Sequence, residues 1–96
     1  MNRLVVSGEV VQIDPLRYTP AGLPLLGFVI RHQSEQVEAD MPRKVECEVS
    51  VIAIGKIAEQ AKAIQMASQV KLAGFLAKRS LKSPQLVLHL NAFEII

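Results

Sequence analysis

The sequence predicts an all-β fold: a five-stranded Greek-key barrel with one short helix between its third and fourth strands. Three observations point there. Five stretches alternate apolar and polar residues with the two-residue period of half-buried strands. A single stretch between the third and fourth of them switches to helical spacing. Gly8 and Gly74 sit inside two of the strand patterns, where they permit the bends that a small closed barrel needs.

The first strand is "RLVVSGEVVQI", Arg3 to Ile13, which sets Leu4, Val6, Gly8 and Val10 on one face and Arg3, Ser7 and Glu9 on the other. Gly8 suggests a bend or bulge within it. "DPLRYTPAGLP" follows, with prolines and a glycine crowded together, a composition that neither a helix nor a central strand tolerates. It is read as a loop, with Pro20-Ala21-Gly22 as its turn. From Leu26 to Gln33 a second strand alternates, leading into polar "SEQVEAD". "KVECEVSVIAI" is the third strand, with Val45, Cys47, Val49 and Val51 on one side and Lys44, Glu46, Glu48 and Ser50 on the other. The period then lengthens: Ile57, Ala61 and Ile64 share one face of "GKIAEQAKAIQM" while Lys56, Glu59 and Lys62 are left for solvent, which is a short amphipathic helix. Alternation returns through Val70, Leu72, Gly74 and Leu76, and again through Leu86, Leu88 and Leu90, giving strands four and five.

Strands so bent, with a helix between the third and fourth, are what the OB-fold barrel requires; an α+β sandwich with a peripheral helix is the structural alternative. Residues 1–96 are expected to form a single domain, since a chain of this length buries roughly 60 to 70% of its unfolded surface in one core. Half of the residues are hydrophobic and 21% are charged, the balance of a folded protein and not of a disordered one. No apolar run approaches the ~20 residues that span a bilayer, and none near the start has the length of a signal sequence, so the expected location is the cytoplasm. Cys47 is the sole cysteine, which leaves no intramolecular disulfide and no cysteine-based metal site; it is read as a small buried hydrophobe.

The net charge of +2 is modest, but its distribution is uneven. Glu35, Glu38, Asp40, Glu46 and Glu48 concentrate acid in the middle, whereas Lys62, Lys71, Lys78, Arg79 and Lys82 occupy a stretch from Gln60 to Phe93 with no acid at all. Lys78, Arg79 and Lys82 fall together before the last strand. Three cations in a surface loop are ordinarily just solvated, but in an OB barrel the loops between strands one and two and between four and five flank the ligand-binding face. Arg17 and the Lys78-to-Lys82 cluster are therefore expected on one rim, with Arg43 and Lys44 extending the track and Arg31 and Lys71 behind them.

An OB barrel can take oligonucleotides or oligosaccharides as its ligand; single-stranded nucleic acid would call for rings on which bases stack as well as cations, and only four aromatics exist. Phe28 points to the core, and Phe93 is placed at a core edge or a dimer contact. Tyr18 either stacks on a base or anchors its own loop; Phe75 alternates to the side opposite Leu72, Gly74 and Leu76, which puts it outside the barrel as a second-rank candidate for touching nucleic acid. Catalysis has little support. His32 and His89 each fall within a strand pattern, where a structural role is the simpler reading, and no nucleophile elbow, phosphate loop or metal-ligand spacing occurs. Neither a metal nor another cofactor is expected.

Three stretches, "NRLVVSGEVV" from Asn2, "PLRYTPAGLPLLGFVIRH" from Pro15 and the closing "VLHLNAFEII", together resemble primosomal replication protein N, the PriB family, itself similar to bacterial single-stranded DNA-binding proteins. The resemblance covers essentially the whole chain. It implies a non-enzymatic OB-fold homodimer that binds single-stranded DNA and acts in restart of stalled replication forks, bridging the restart helicase PriA and the loader DnaT. It also implies DNA contacts at Arg17 and Tyr18 in the first loop, at Met41 and Arg43 in the loop between strands two and three, and at Lys78, Arg79 and Lys82 in the last loop. Where some relatives carry an aromatic pair around the middle loop, this sequence has Met41 and Glu46.

A homodimer also fits the first strand, whose outer face still shows Val5 and Val11 for pairing with a second copy. Two other readings compete. A general single-stranded DNA-binding protein usually has a long tail with an acidic tip, whereas this sequence ends at Ile96 in strand-like residues. A protein-interaction adaptor, with incidental nucleic-acid contact, fits the few aromatics and the acidic middle.

Overall fold

In a computed structural model that describes residues 1–96, the alternating stretches form strands β1 (Leu4–Ile13), β2 (Arg17–Tyr18), β3 (Pro24–Glu38), β4 (Met41–Ile54), β5 (Gln69–Ser80) and β6 (Ser83–Ile95), with helix α1 (Lys56–Ala61) between β4 and β5. β1 is the shared strand. Its residues from Leu4 to Glu9 pair antiparallel with β5, and those from Glu9 to Ile13 pair antiparallel with β3. β3 pairs with β4, β5 with β6, and β4 meets β6 in parallel at Val51–Leu88 and Ile52–His89. The ring β1-β3-β4-β6-β5 is thereby closed, the five-stranded barrel with a short helix that the sequence predicts, with β2 added to β3 as a short outer strand.

Inward residues of every ring strand fill the barrel: Val10, Phe28, Ile30, Val51, Val70, Leu72 and Leu88 are each almost wholly buried. Each such side chain contributes about 1.5–3 kcal/mol relative to exposure. Helix α1 closes one end with Ala58 and Ala61, and Ile64 follows beyond the helix as a third buried residue. The helix is shorter than its pattern suggests. Ala58 is buried while Ile57 is only half-buried, so the small residue sets how closely the helix approaches the barrel.

Several expectations need correction. Arg17 and Tyr18 are strand, not loop: they pair with Leu25 and Pro24, folding the stretch into a hairpin. Its turn is the expected Pro20-Ala21-Gly22, with Gly22 at φ 85°; the Gly22 N–H donates to the Thr19 carbonyl and the Leu23 N–H to Thr19 Oγ1. The polar "SEQVEAD" is largely strand as well. β3 and β4 run together from Leu25–Ile54 to Glu38–Met41, so Met41, Arg43 and Lys44 lie in β4 and only Ala39 and Asp40 turn. Beyond Arg31 no third strand of the ring pairs with β3, and the two strands leave the barrel as a ribbon, which stretches the molecule to 49 × 31 × 22 Å. Cys47 lies on this ribbon and is exposed, not buried: its alternation with Val49 and Val51 is real, but the barrel ends before the strand does.

The last loop contracts in the same way. Lys78 and Arg79 belong to β5, and the chain turns at Leu81 and Lys82. Leu86 shares the alternation of Leu88 and Leu90 but is exposed near this hairpin's tip. In β1 the register slips around Val11, between Val10 and Gln12, and not at Gly8. Gly8 serves a different need: a Cβ there would stand 2.5 Å from the Arg31 carbonyl oxygen, so β1 crosses β3 too closely for a side chain.

Candidate nucleic-acid interface

β2 places Arg17 outside the barrel beside β3, and the distal part of β5 brings Arg79 over the same wall. The two arginines line one depression of about 220 Å³, together with Gln12, Gly27, Ser50 and Ile52. Arg79 stands where the β5–β6 register slips, between Lys78 and Ser80. Its Nε donates to Gln85 Oε1 at 3.1 Å, fixing the plane of the group while its terminal nitrogens make no ion pair within the chain. Half-buried Asp14 also lines the depression, accepting from Gln12 Nε2 at 3.0 Å and lying over Gly27, where a Cβ would come within 2.9 Å of its Oδ2. Arginine's planar guanidinium suits a phosphate or another oxyanion, and two arginines border this one space.

The remaining residues singled out in the sequence are all exposed but are not gathered at this depression. Lys78 and Lys82 lie toward the tip of the same β5–β6 hairpin, free of ion pairs. Tyr18 stands beside Arg17 on β2 with 65% of its surface open, no ring stacked on it. Met41, Arg43 and Lys44 ride on the β3–β4 ribbon. Arg43 Nη1 meets Glu38 Oε1 at 2.8 Å, and Lys44 lines a separate groove flanked by Glu35 and Glu46, so acid already surrounds the ribbon's cations. Of the two further candidates, Arg31 approaches Glu9 at 3.8 Å and Lys71 lies opposite Glu94 across β5 and β6.

The two histidines divide. His32 is structural: its Nδ1 bonds the Ser7 carbonyl at 2.7 Å and its Nε2 bonds Ser34 Oγ at 2.8 Å. His89 makes no side-chain hydrogen bond; its ring stacks on Phe75, with centroids 5.0 Å apart and planes 12° apart. This pair on the outer wall escapes a strand-by-strand reading of the sequence. Folding the last hairpin about Leu81 and Lys82 alone would set Phe75 opposite Leu88; the one-residue register slip between Lys78 and Ser80 is what brings it opposite His89.

The chain matches, over residues 2–92, a family described as "Another single-strand binding protein family". It is similar to replication restart protein PriB of Nitrosomonas europaea, 41% identical over 95 residues that cover 99% of this chain and 88% of that one. Its likeness to the PriB of Bordetella pertussis is 39% over 91 residues, covering 95% and 85%. Among solved structures, the PriB of Ralstonia solanacearum superposes with a TM-score of 0.88 at 32% identity, covering 99% of this chain and 97% of that one. The single-stranded DNA binding protein of Thermus aquaticus superposes at 0.79 and 20% identity, covering all of this chain and half of that one, a likeness of fold. With matches of this extent, the chain belongs to the replication restart protein PriB family, within the single-strand binding proteins.

Proposed function

We propose that this chain binds single-stranded DNA along the outer wall of its one barrel domain and acts in replication restart as a non-enzymatic accessory. Relatives carrying the name replication restart protein support the process. The observation that carries the binding is the convergence of Arg17 and Arg79, remote in sequence, on one depression. Lys78 and Lys82 continue the positive surface along the hairpin, while Tyr18, Met41, Arg43 and Lys44 provide outer contacts. The protein works as a homodimer in the cytoplasm, and exposed Val5 on β1 offers apolar surface to a second copy. In this role it bridges the helicase PriA and the loader DnaT. No helix is long and apolar enough to cross a membrane.

The test is a titration of labelled oligo-dT across salt concentrations. Neutralising three to five phosphates gives a slope of log affinity against log salt of roughly −2 to −3.5, and tight binding with almost no slope would sink the reading. One observation favours the adaptor reading: the ribbon gathers Glu35, Glu38, Asp40, Glu46 and Glu48 on exposed positions. Changing Lys78, Arg79 and Lys82 to Ala separates the two. Loss of DNA binding together with helicase stimulation supports the DNA-binding role; stimulation that survives the loss of DNA binding supports the adaptor.

A further inference from the structure

We infer that Phe75, braced by His89 and continued by Ile52, is a base-stacking platform set beside the arginine pair; this rests on the single-stranded DNA reading above and assigns the bases a place that the cations alone do not. Phe75 alternates away from core residue Leu72 and keeps 38% of its surface open on the outer wall. Antiparallel register puts it opposite His89 in β6, parallel register puts His89 beside Ile52 in β4, and Ile52 faces Gly27 in β3. One transverse row therefore crosses four strands, about 14 Å at the usual inter-strand spacing. Its far end, Ile52 and Gly27, forms part of the depression that Arg17 and Arg79 line. A strand whose phosphates are held by Arg17 and Arg79 has its neighbouring bases directed over this row.

The ring is held ready. His89 stacks on one side at 5.0 Å. At the next residue along β5, Asn2 brackets the Leu76 peptide: Asn2 Nδ2 donates to the Leu76 carbonyl at 2.8 Å, and the Leu76 N–H donates to Asn2 Oδ1 at 2.9 Å. A ring fixed before binding loses little freedom on contact with a base. The His89 nitrogens are engaged by no protein group, in contrast to those of His32, so the flat face of the imidazole is what this position uses. His89 is thus a positioning residue for Phe75.

The experiment compares labelled oligo-dT with an abasic oligonucleotide of equal length, for the full chain and its variants, at several salt concentrations. The wild type is expected to prefer dT. Phe75→Leu should lower dT affinity about 5- to 150-fold, the range for losing one stacked base, while leaving abasic affinity and the salt slope unchanged. Phe75→Thr, a β-branched choice suited to an exposed strand position, gives the same answer if the Leu variant folds poorly. His89→Ala should act in the same direction and His89→Phe should restore the preference. If ring-free Phe75 variants bind both oligonucleotides like wild type while Arg17→Ala or Arg79→Ala weakens both, the platform is overturned and the DNA reading stands. A wild type that binds neither overturns both.

Discussion

Arg17, Arg79 and Arg43 are alike in exposure and differ in what their charge already meets. Arg43 is paired with Glu38 at 2.8 Å, with 61% and 68% of the two side chains open to solvent, an ion pair that contributes about 0–1 kcal/mol to stability. Arg17 and Arg79 have no such partner. On the proposed function, each of these two holds a phosphate, so Arg17→Ala and Arg79→Ala should each flatten the log–log salt dependence of oligo-dT binding by about 0.7. Arg43→Ala should change the slope less than either, because Glu38 already offsets its field; equal losses for all three would put the phosphate track on the ribbon instead. Cys47 gives a second residue-scale expectation, since its thiol is exposed. An aromatic disulfide reagent should modify it fully in the native protein, without the lag that opening of a barrel would impose.

The β3–β4 ribbon carries its own strain. Its two turn residues, Ala39 and Asp40, have φ of 52° and 62°, the left-handed pair that a two-residue hairpin demands and that glycine or asparagine usually supplies. Alanine in this region costs about 1–2 kcal/mol. Ala39→Gly is therefore expected to raise stability by about 0.5–1 kcal/mol, read from urea unfolding, with the flexibility added to the unfolded chain limiting the gain. Because the ribbon has only two strands beyond the barrel, amides from Ser34 to Val45 should exchange with solvent well before those of Phe28, Ile30, Val51 and Leu72. The same two facts explain why this element was illegible in the sequence. "SEQVEAD" has no apolar face, so period two leaves no trace, and "AD" lacks the glycine that marks a hairpin. Where one face meets the core, as in Val49, Val51 and Ala53, the pattern is plain; Cys47 shares the alternation yet is exposed, because alternation reports direction but not how far the barrel extends. Arg17 and Arg79 were assignable to one rim only through the barrel's topology, while the Phe75–His89 pair needed a register that single strands do not disclose.

Closing five strands into a ring forces backbones together at two places, and glycine occupies both. At Gly8 an added Cβ would meet the Arg31 carbonyl of β3, and at Gly74 it would meet the His89 carbonyl of β6. In each case the obstacle is main chain, which cannot rotate aside as a long side chain would. Gly8→Ala and Gly74→Ala should each cost about 1–3 kcal/mol, the usual range for overpacking, measured as a lower urea midpoint at unchanged m-value. Their effects on binding should separate. Gly8 lies at the β1–β3 crossing and lines neither the arginine depression nor the aromatic row, so the folded fraction of Gly8→Ala keeps its preference for dT over abasic DNA. Gly74→Ala pushes on the backbone of His89 itself, next to the register slip between Ala73 and Gly74, so it should lose stability and base preference together. A Gly74→Ala protein that is destabilised yet discriminates like wild type would show that closure of the barrel and the set of the Phe75 ring are independent.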